Sequence, residues 1–195
     1  MQALSQRGRR LASQPRASAG GHGPALVAGL PALEEFPTAA WSRILARHQR
    51  TATPQSLGYG QPGGHRDLRT TLANYLRESR GVECEAEQVI VLSGAQGALD
   101  LSARMLLDAG DSVWMEEPGY LGARSALIAA GAQLTPVPVG KDGFDVQLAT
   151  RLEPRARLAY VTPSCQFPLG VTMTLERRLQ LIDWAACQGQ LDHRR

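Results

Sequence analysis

Lysine is the scarcest charge in this sequence: of 21 basic residues only Lys141 is a lysine, set in a Gly-Lys-Asp-Gly turn. Any chemistry that needs a lysine amine has a single candidate. Cysteine is nearly as sparse. Cys84, Cys165 and Cys187 are odd in number, widely spaced and without a C-x-x-C pair, which argues against a disulfide framework or a structural zinc. His22, His48, His65 and His193 show no H-E-x-x-H or other close ligand spacing, so no metal is expected. No apolar run approaches the ~20 residues that span a bilayer, and the Arg-rich start lacks the apolar stretch of a secretory signal. A cytoplasmic protein without membrane contact is the expectation. Acid is absent from the first twenty residues, which hold Arg7, Arg9, Arg10 and Arg16. With all 18 acids beyond them, the rest of the chain carries a net −1, which does not describe a nucleic-acid surface.

What is present fits one α/β domain. With 195 residues, 43% of them hydrophobic, the chain is long enough for one sizeable core, or one domain with a tail. Residues 1–24 have no apolar period and read as a disordered lead-in or interdomain linker, with order starting near Leu26. Trp41, Ile44, Leu45 and His48 recur at helical spacing, which predicts a helix over about 39–50 capped by Thr38. Gly58-Tyr-Gly-Gln-Pro-Gly-Gly64 forces a loop. Leu68, Leu72, Tyr75 and Leu76 stripe a second helix that stops at Gly81.

An apolar strand over 89–92 then halts at Gly94, and a helix follows to about Leu107. Further strands are predicted at 112–116, 133–139 and 157–161, with helices at 121–130, 146–152 and about 174–187. Strands alternating with helices over short loops imply a mostly parallel sheet flanked by helices. That pattern calls for another strand after the last helix. Residues 189–195 are instead polar and basic, and they read as a non-native tail such as a reading-frame shift leaves, so the domain at 25–188 is expected to be interrupted.

The junction Val89-Ile-Val-Leu-Ser-Gly-Ala-Gln-Gly-Ala-Leu-Asp-Leu101 carries the first chemical hint. The first N–H groups of a helix have no partner within it, and the helix dipole adds positive charge there, so a phosphate is stabilised at such a start. By itself the Gly94-Ala-Gln-Gly97 turn has two readings, an anion cup or a glycine turn required only by sterics. It lacks the Gly-Lys-Ser/Thr of a Walker loop and the G-x-G-x-x-G spacing of a dinucleotide fold. In open α/β sheets ligands gather at the carboxyl ends of strands, where 117–120 and 162–170 also emerge. Tyr120 could present its ring to a flat ligand or pack on the core. Glu116 and Glu117 begin a turn and are expected to face water, and Cys165 is expected to be a buried structural thiol.

Four ordered segments carry a resemblance: Gly58-Tyr-Gly-Gln-Pro-x-Gly-x-x-x-Leu-Arg69, Leu92-Ser-Gly-Ala-Gln-x-Ala-Leu-Asp-Leu101, Glu116-x-Pro-Gly-Tyr120 and Thr162-Pro-Ser-x-Gln-Phe-Pro-x-Gly170. From near Gly29 to Gln188 the chain resembles fold-type I pyridoxal 5'-phosphate (PLP) aminotransferases of class I/II. Within that group it is most similar to the aminotransferase-like domain of MocR-type, GntR-family transcriptional regulators. The resemblance implies that Gly94, Ala95 and Gln96 hold the cofactor phosphate, and that Tyr120 stacks on the pyridine ring. It also implies that Gln166 lies in the loop passing the ring's hydroxyl side. Tyr59 is implied to reach the phosphate of a neighbouring subunit's cofactor, hence a homodimer with shared sites. Where MocR-type members usually read Ser-His-Gln, this chain has Ser164-Cys165-Gln166, which puts any role of the middle position in doubt.

The same resemblance marks what the sequence lacks. PLP chemistry needs an amine to hold the aldehyde as a Schiff base and an acid near the ring nitrogen. In the family an aspartate, a tyrosine, the lysine and a substrate-binding arginine all follow the last helix, and 188–195 offers no counterpart. Lys141, on a turn read as lying on the far side of the motif loops, is expected to be a surface charge. The sequence therefore reads as an incomplete large domain of the PLP-dependent transferase fold, with an incomplete cofactor site and no catalytic residue. Its implied role is to bind a small amino compound as effector, with DNA contacted only through a domain absent from this chain. A piece of a true class I/II aminotransferase, or a nonfunctional fragment, is the alternative. Without the strands that flank 89–92 in the family's sheet, marginal stability or dependence on a partner chain is expected, and cooperative unfolding above ~60 °C would contradict it.

Overall fold

The computed structural model describes residues 4–14 and 31–192. They fall into two compact units, one comprising 31–93 and the other 94–192 together with the N-terminal 4–14.

The second unit is built on a three-stranded parallel sheet in the order β2-β1-β3, from β1 (Ser112–Glu117), β2 (Gln133–Pro138) and β3 (Leu158–Tyr160). The central strand is covered on both faces, so its residues divide by the two-residue strand period. Val113 and Met115 join Ala103, Leu107, Ala123 and Leu127 in one buried cluster. Trp114 faces the opposite way into Val137, Phe144, Val146, Ala149, Ala156 and Met173. Helices α5 (Ala95–Leu106) and α6 (Leu121–Ala130) supply the first layer, while α7 (Val146–Leu152) and α8 (Leu175–Asp192) supply the second. Trp114 stacks on Trp184 of α8 at 4.2 Å, and its Nε1–H donates to the Glu153 carbonyl at 2.8 Å. A buried indole is thus stacked on a neighbouring ring with its one polar atom satisfied.

Local signals explain the helix boundaries. Gly131 ends α6 in the left-handed conformation, and Asp145 caps α7 by accepting from the Leu148 N–H at 2.8 Å. The predicted α/β class and parallel sheet are present. The chain order of helix and strand matches the reading from α5 to α8, and the last helix runs on past the expected end near Cys187 to Asp192. Residues 193–195, like the expected start of order near Leu26, lie outside the described residues.

The first unit holds α2 (Thr38–Arg50), the short α3 (Pro54–Leu57) and α4 (Arg66–Arg80), which ends at left-handed Gly81. Three expectations fail outside the sheet. The lead-in contains a helix, α1 (Gln6–Ala12), capped by Ser5 and packed against α6. Thr38 does not cap α2; it is the first helical residue, and its hydroxyl donates to the Phe36 carbonyl at 3.3 Å. The segment 89–92 is not a strand. Its residues are extended at Val89 but pair with no ladder among the described residues, and the Val91 N–H donates instead to the Gly63 carbonyl at 2.9 Å. An apolar run proposes a strand, and a neighbour with free backbone groups is needed to make one.

Candidate functional site

The site is built where β1 and β3 end and α5 begins. Gly94, at the N-cap of α5, has φ +134°, a conformation that side chains disfavour, and this turns the chain into the helix. The Ala98 N–H bonds back to the Gly94 carbonyl at 3.1 Å, while the N–H groups of Ala95, Gln96 and Gly97 have no partner among the described residues. Gly94, Ala95 and Gln96 are all solvent-exposed. These free donors at the positive end of a three-turn helix are what an anion cup requires.

Gln96 fixes the start of α5 to the first turn of α6, donating from Nε2 to the Gly122 carbonyl at 3.0 Å. A Cβ on Gly122 would meet both Gln96 Oε1 and the Tyr120 ring at 2.6 Å, so the three residues are packed with no space to spare. The half-buried Tyr120 leans on the core layer of Leu127 and Met115, and the Phe167 ring meets it edge-on at 5.7 Å and 85°. Cup, Tyr120 and the 162–170 loop therefore come together, as their motifs imply.

Gln166 is buried and turned inward. Its Nε2 donates to the carbonyls of Pro118 at 2.8 Å and Phe167 at 2.7 Å and to Glu116 Oε2 at 3.2 Å, while its Oε1 accepts from the Leu169 N–H at 3.1 Å. Tyr59 belongs to the other unit, on the 58–64 loop, and its side chain is fully exposed. Arg69 stiffens that loop by donating to the Gly64 carbonyl at 3.2 Å and to Gln61 Oε1 at 2.6 Å.

Three expectations about nearby residues are corrected. Glu116 does not face water: β1 continues to Glu117, so Glu116 is an interior strand residue on the Trp114 face, 2% exposed. It accepts the Thr162 N–H at 3.0 Å and the Thr162 hydroxyl at 2.6 Å. The strand period alone could have placed it there. Only Glu117 is outside, paired with Arg124. Cys165 is exposed, because the loop's inward position is taken by Gln166. Lys141 is at the surface as expected, but its turn is not on the opposite side from the motif loops. All three strands are parallel, so the 140–143 turn leaves the sheet at the same end, beyond edge strand β2, where Gly143 packs on Met173.

Electrostatics at this end are shaped by burial. Burial, then the neighbouring Glu116 and Tyr120, pushes the Tyr160 hydroxyl above its ordinary range. Among the described residues no group of acids, histidines and cysteines could hold a metal, and no helix is long and apolar enough to cross a membrane.

A parallel α/β sheet with a glycine-started helix and a Tyr120–Phe167 ring pair at its carboxyl end places the chain in the class of α/β domains that take ligands at that end of the sheet. The chain belongs to the aminotransferase class I and II family, which matches residues 32–189. It is 50% identical over 179 residues to the "Probable rhizopine catabolism regulatory protein MocR" of Rhizobium meliloti, covering 92% of this chain and 36% of that protein. The kynurenine aminotransferase of Pyrococcus horikoshii, solved with PMP, superposes with a TM-score of 0.75 at 32% identity, over 84% of this chain and 42% of that one. LysN, the alpha-aminoadipate aminotransferase of Thermus thermophilus, solved with N-(5'-phosphopyridoxyl)-L-leucine, gives 0.73 at 33% identity, over 83% and 40%. The chain thus spans well under half the length of these relatives, and the family implies PLP as the group this kind of site takes.

Proposed function

We propose that this chain is part of the PLP-binding, aminotransferase-like effector domain of a MocR/GntR-type transcriptional regulator, and that it holds the phosphate and one face of the cofactor. The observation that carries the reading is the cup itself. Free N–H groups at Ala95, Gln96 and Gly97, held by Gln96 against Gly122 beside the Tyr120 ring, match a ligand with a phosphate and a flat ring. Gln166 serves this site by holding the 162–170 loop. An identity of 50% with that MocR protein over 92% of this chain favours the regulator. DNA contact is assigned to a part of the parent protein other than these residues, since the chain beyond residue 20 is slightly acidic. Two copies sharing sites is the assembly, supported by the full exposure of Tyr59 and the exposure of Trp41, Ile44 and Leu45 on α2.

When bound, the cofactor supplies an electron-withdrawing ring that activates an attached amine. The residues of this chain bind and orient; they present no amine to it, because Lys141 is exposed on the turn beyond edge strand β2. The cofactor site is therefore incomplete here. Equilibrium dialysis with pyridoxamine 5'-phosphate (PMP), which cannot react with lysine, tests the reading. Wild type binds and Gly94→Val does not, because valine resists φ +134°. Equal binding by both proteins would refute the cup. The second reading, a true class I/II aminotransferase, is favoured by the fold shared with the two aminotransferases. Turnover of an amino acid and a 2-oxo acid by this chain with PLP, lost in Lys141→Ala, would establish it instead.

A further inference from the structure

Among the described residues, the buried polar side chains are Glu116 and Gln166, and they are bonded to each other. Burying a carboxylate costs free energy that an apolar residue of similar volume would avoid, so what it binds indicates what it does. The three donors to Glu116 all come from one segment: the Thr162 N–H, the Thr162 hydroxyl and the Gln166 amide. The same Gln166 amide bonds the Pro118 carbonyl in the turn leading to Tyr120, and the Thr162 hydroxyl accepts the Phe167 N–H at 3.2 Å. Glu116 thus ties the 162–170 loop at its first residue and again at its middle. Phe167 is the side chain the loop delivers, edge-on against Tyr120.

We infer that Glu116 is a positioning residue for ring recognition: through Thr162 and Gln166 it seats Phe167, which sets the plane of the Tyr120 ring that a pyridine would meet. The inference rests on the proposed cofactor cup and deepens it, because it divides the site in two. The cup amides recognise phosphate without help from Glu116. The ring platform depends on it.

The test uses the 195-residue chain with two probes, inorganic phosphate for the cup alone and PMP for cup and platform together. Glu116→Gln keeps size but turns one acceptor into a donor facing the Gln166 amide. It should weaken PMP roughly three- to tenfold, the worth of one oriented aromatic contact. Phosphate affinity should stay within about twofold of wild type. Phe167→Leu should do the same, and the double variant E116Q/F167L should bind PMP no more weakly than the worse single, because both act through one ring. Multiplying effects, equal loss of phosphate and PMP, or unchanged PMP binding in E116Q would overturn the inference. If circular dichroism shows E116Q unfolded, Thr162→Val replaces it, removing one donor to Glu116 and the acceptor for Phe167. Wild type that binds neither probe refutes the cup and the inference with it. Wild type that binds phosphate with no preference for PMP refutes the inference alone.

Discussion

The two units of this molecule have similar local structure and opposite burial. In 94–192, Val113, Trp114, Met115, Val137 and Phe144 are fully buried around the sheet. In 31–93, Ala73 is the one buried residue among those described, while Trp41, Ile44, Tyr75 and Ile90 are all more than half exposed. Both contain well-formed helices with apolar stripes, and both use a left-handed glycine to stop one. Helix formation follows local signals in each. A core forms only where a strand with paired neighbours gives helices a surface on both sides. An apolar stripe is therefore a demand for burial, and α2 shows the demand made without being met.

The sharpest way to break the comparison is a matched pair of tryptophans. Trp114→Ala should cost about 3–5 kcal/mol, because it empties the space between Phe144 and Trp184 and strands the Glu153 carbonyl. Trp41→Ala, at a side chain 58% exposed, should lie within about 0.5 kcal/mol. Urea unfolding followed by circular dichroism measures both. A large cost at Trp41 would mean that the α2 face is covered in solution, which would support the shared-site dimer and erase the contrast.

A smaller effect tests whether the poorly buried unit is nevertheless well defined. Gly64 has φ +100°, and a Cβ there would lie 2.8 Å from the Val91 Cβ. Gly64→Ala should cost about 1–3 kcal/mol through strain and overpacking together. Gly81→Ala, at φ +63° with open space around it, should cost less. Equal costs would show that the contact between the 58–64 loop and Val91 is not maintained.

Much of the second unit was legible in sequence because its signals are local. Helices α6 and α7 begin and end where Gly131 and the 146–152 pattern put them, and the start of α5 follows from one glycine between an apolar run and a helix. One misreading is non-local, and the other passed over a local signal as well. Residues 89–92 have strand composition, yet a ladder depends on a neighbour that composition cannot supply. Glu116 read as part of a turn because two acids precede a proline, although its place two residues after Trp114 put it on the same inward face. Its burial follows from Thr162 and Gln166, which lie far along the chain. The motifs that come together were visible in the sequence, but the way one motif holds another was not.

The least effect expected is also the one with a definite pH signature. Asp145 caps α7, and the Leu148 N–H holds its carboxyl below the ordinary 3.8, opposed by burial and aided by Arg177 at 3.1 Å. A carboxyl depressed in the folded state binds its proton more readily when unfolded. Its contribution is therefore complete above 3.8 and is lost as pH falls through the lower folded value. Asp145→Asn keeps a capping oxygen but loses the charge, so at neutral pH it should cost only about 0.2–1 kcal/mol, as befits a partly exposed pair. The difference between wild type and variant should stay level from neutral pH down to the ordinary value and close below it. A difference that persists at lower pH would show that the cap works by geometry alone, leaving the Arg177 pair without a part in holding α7 and α8 to the sheet.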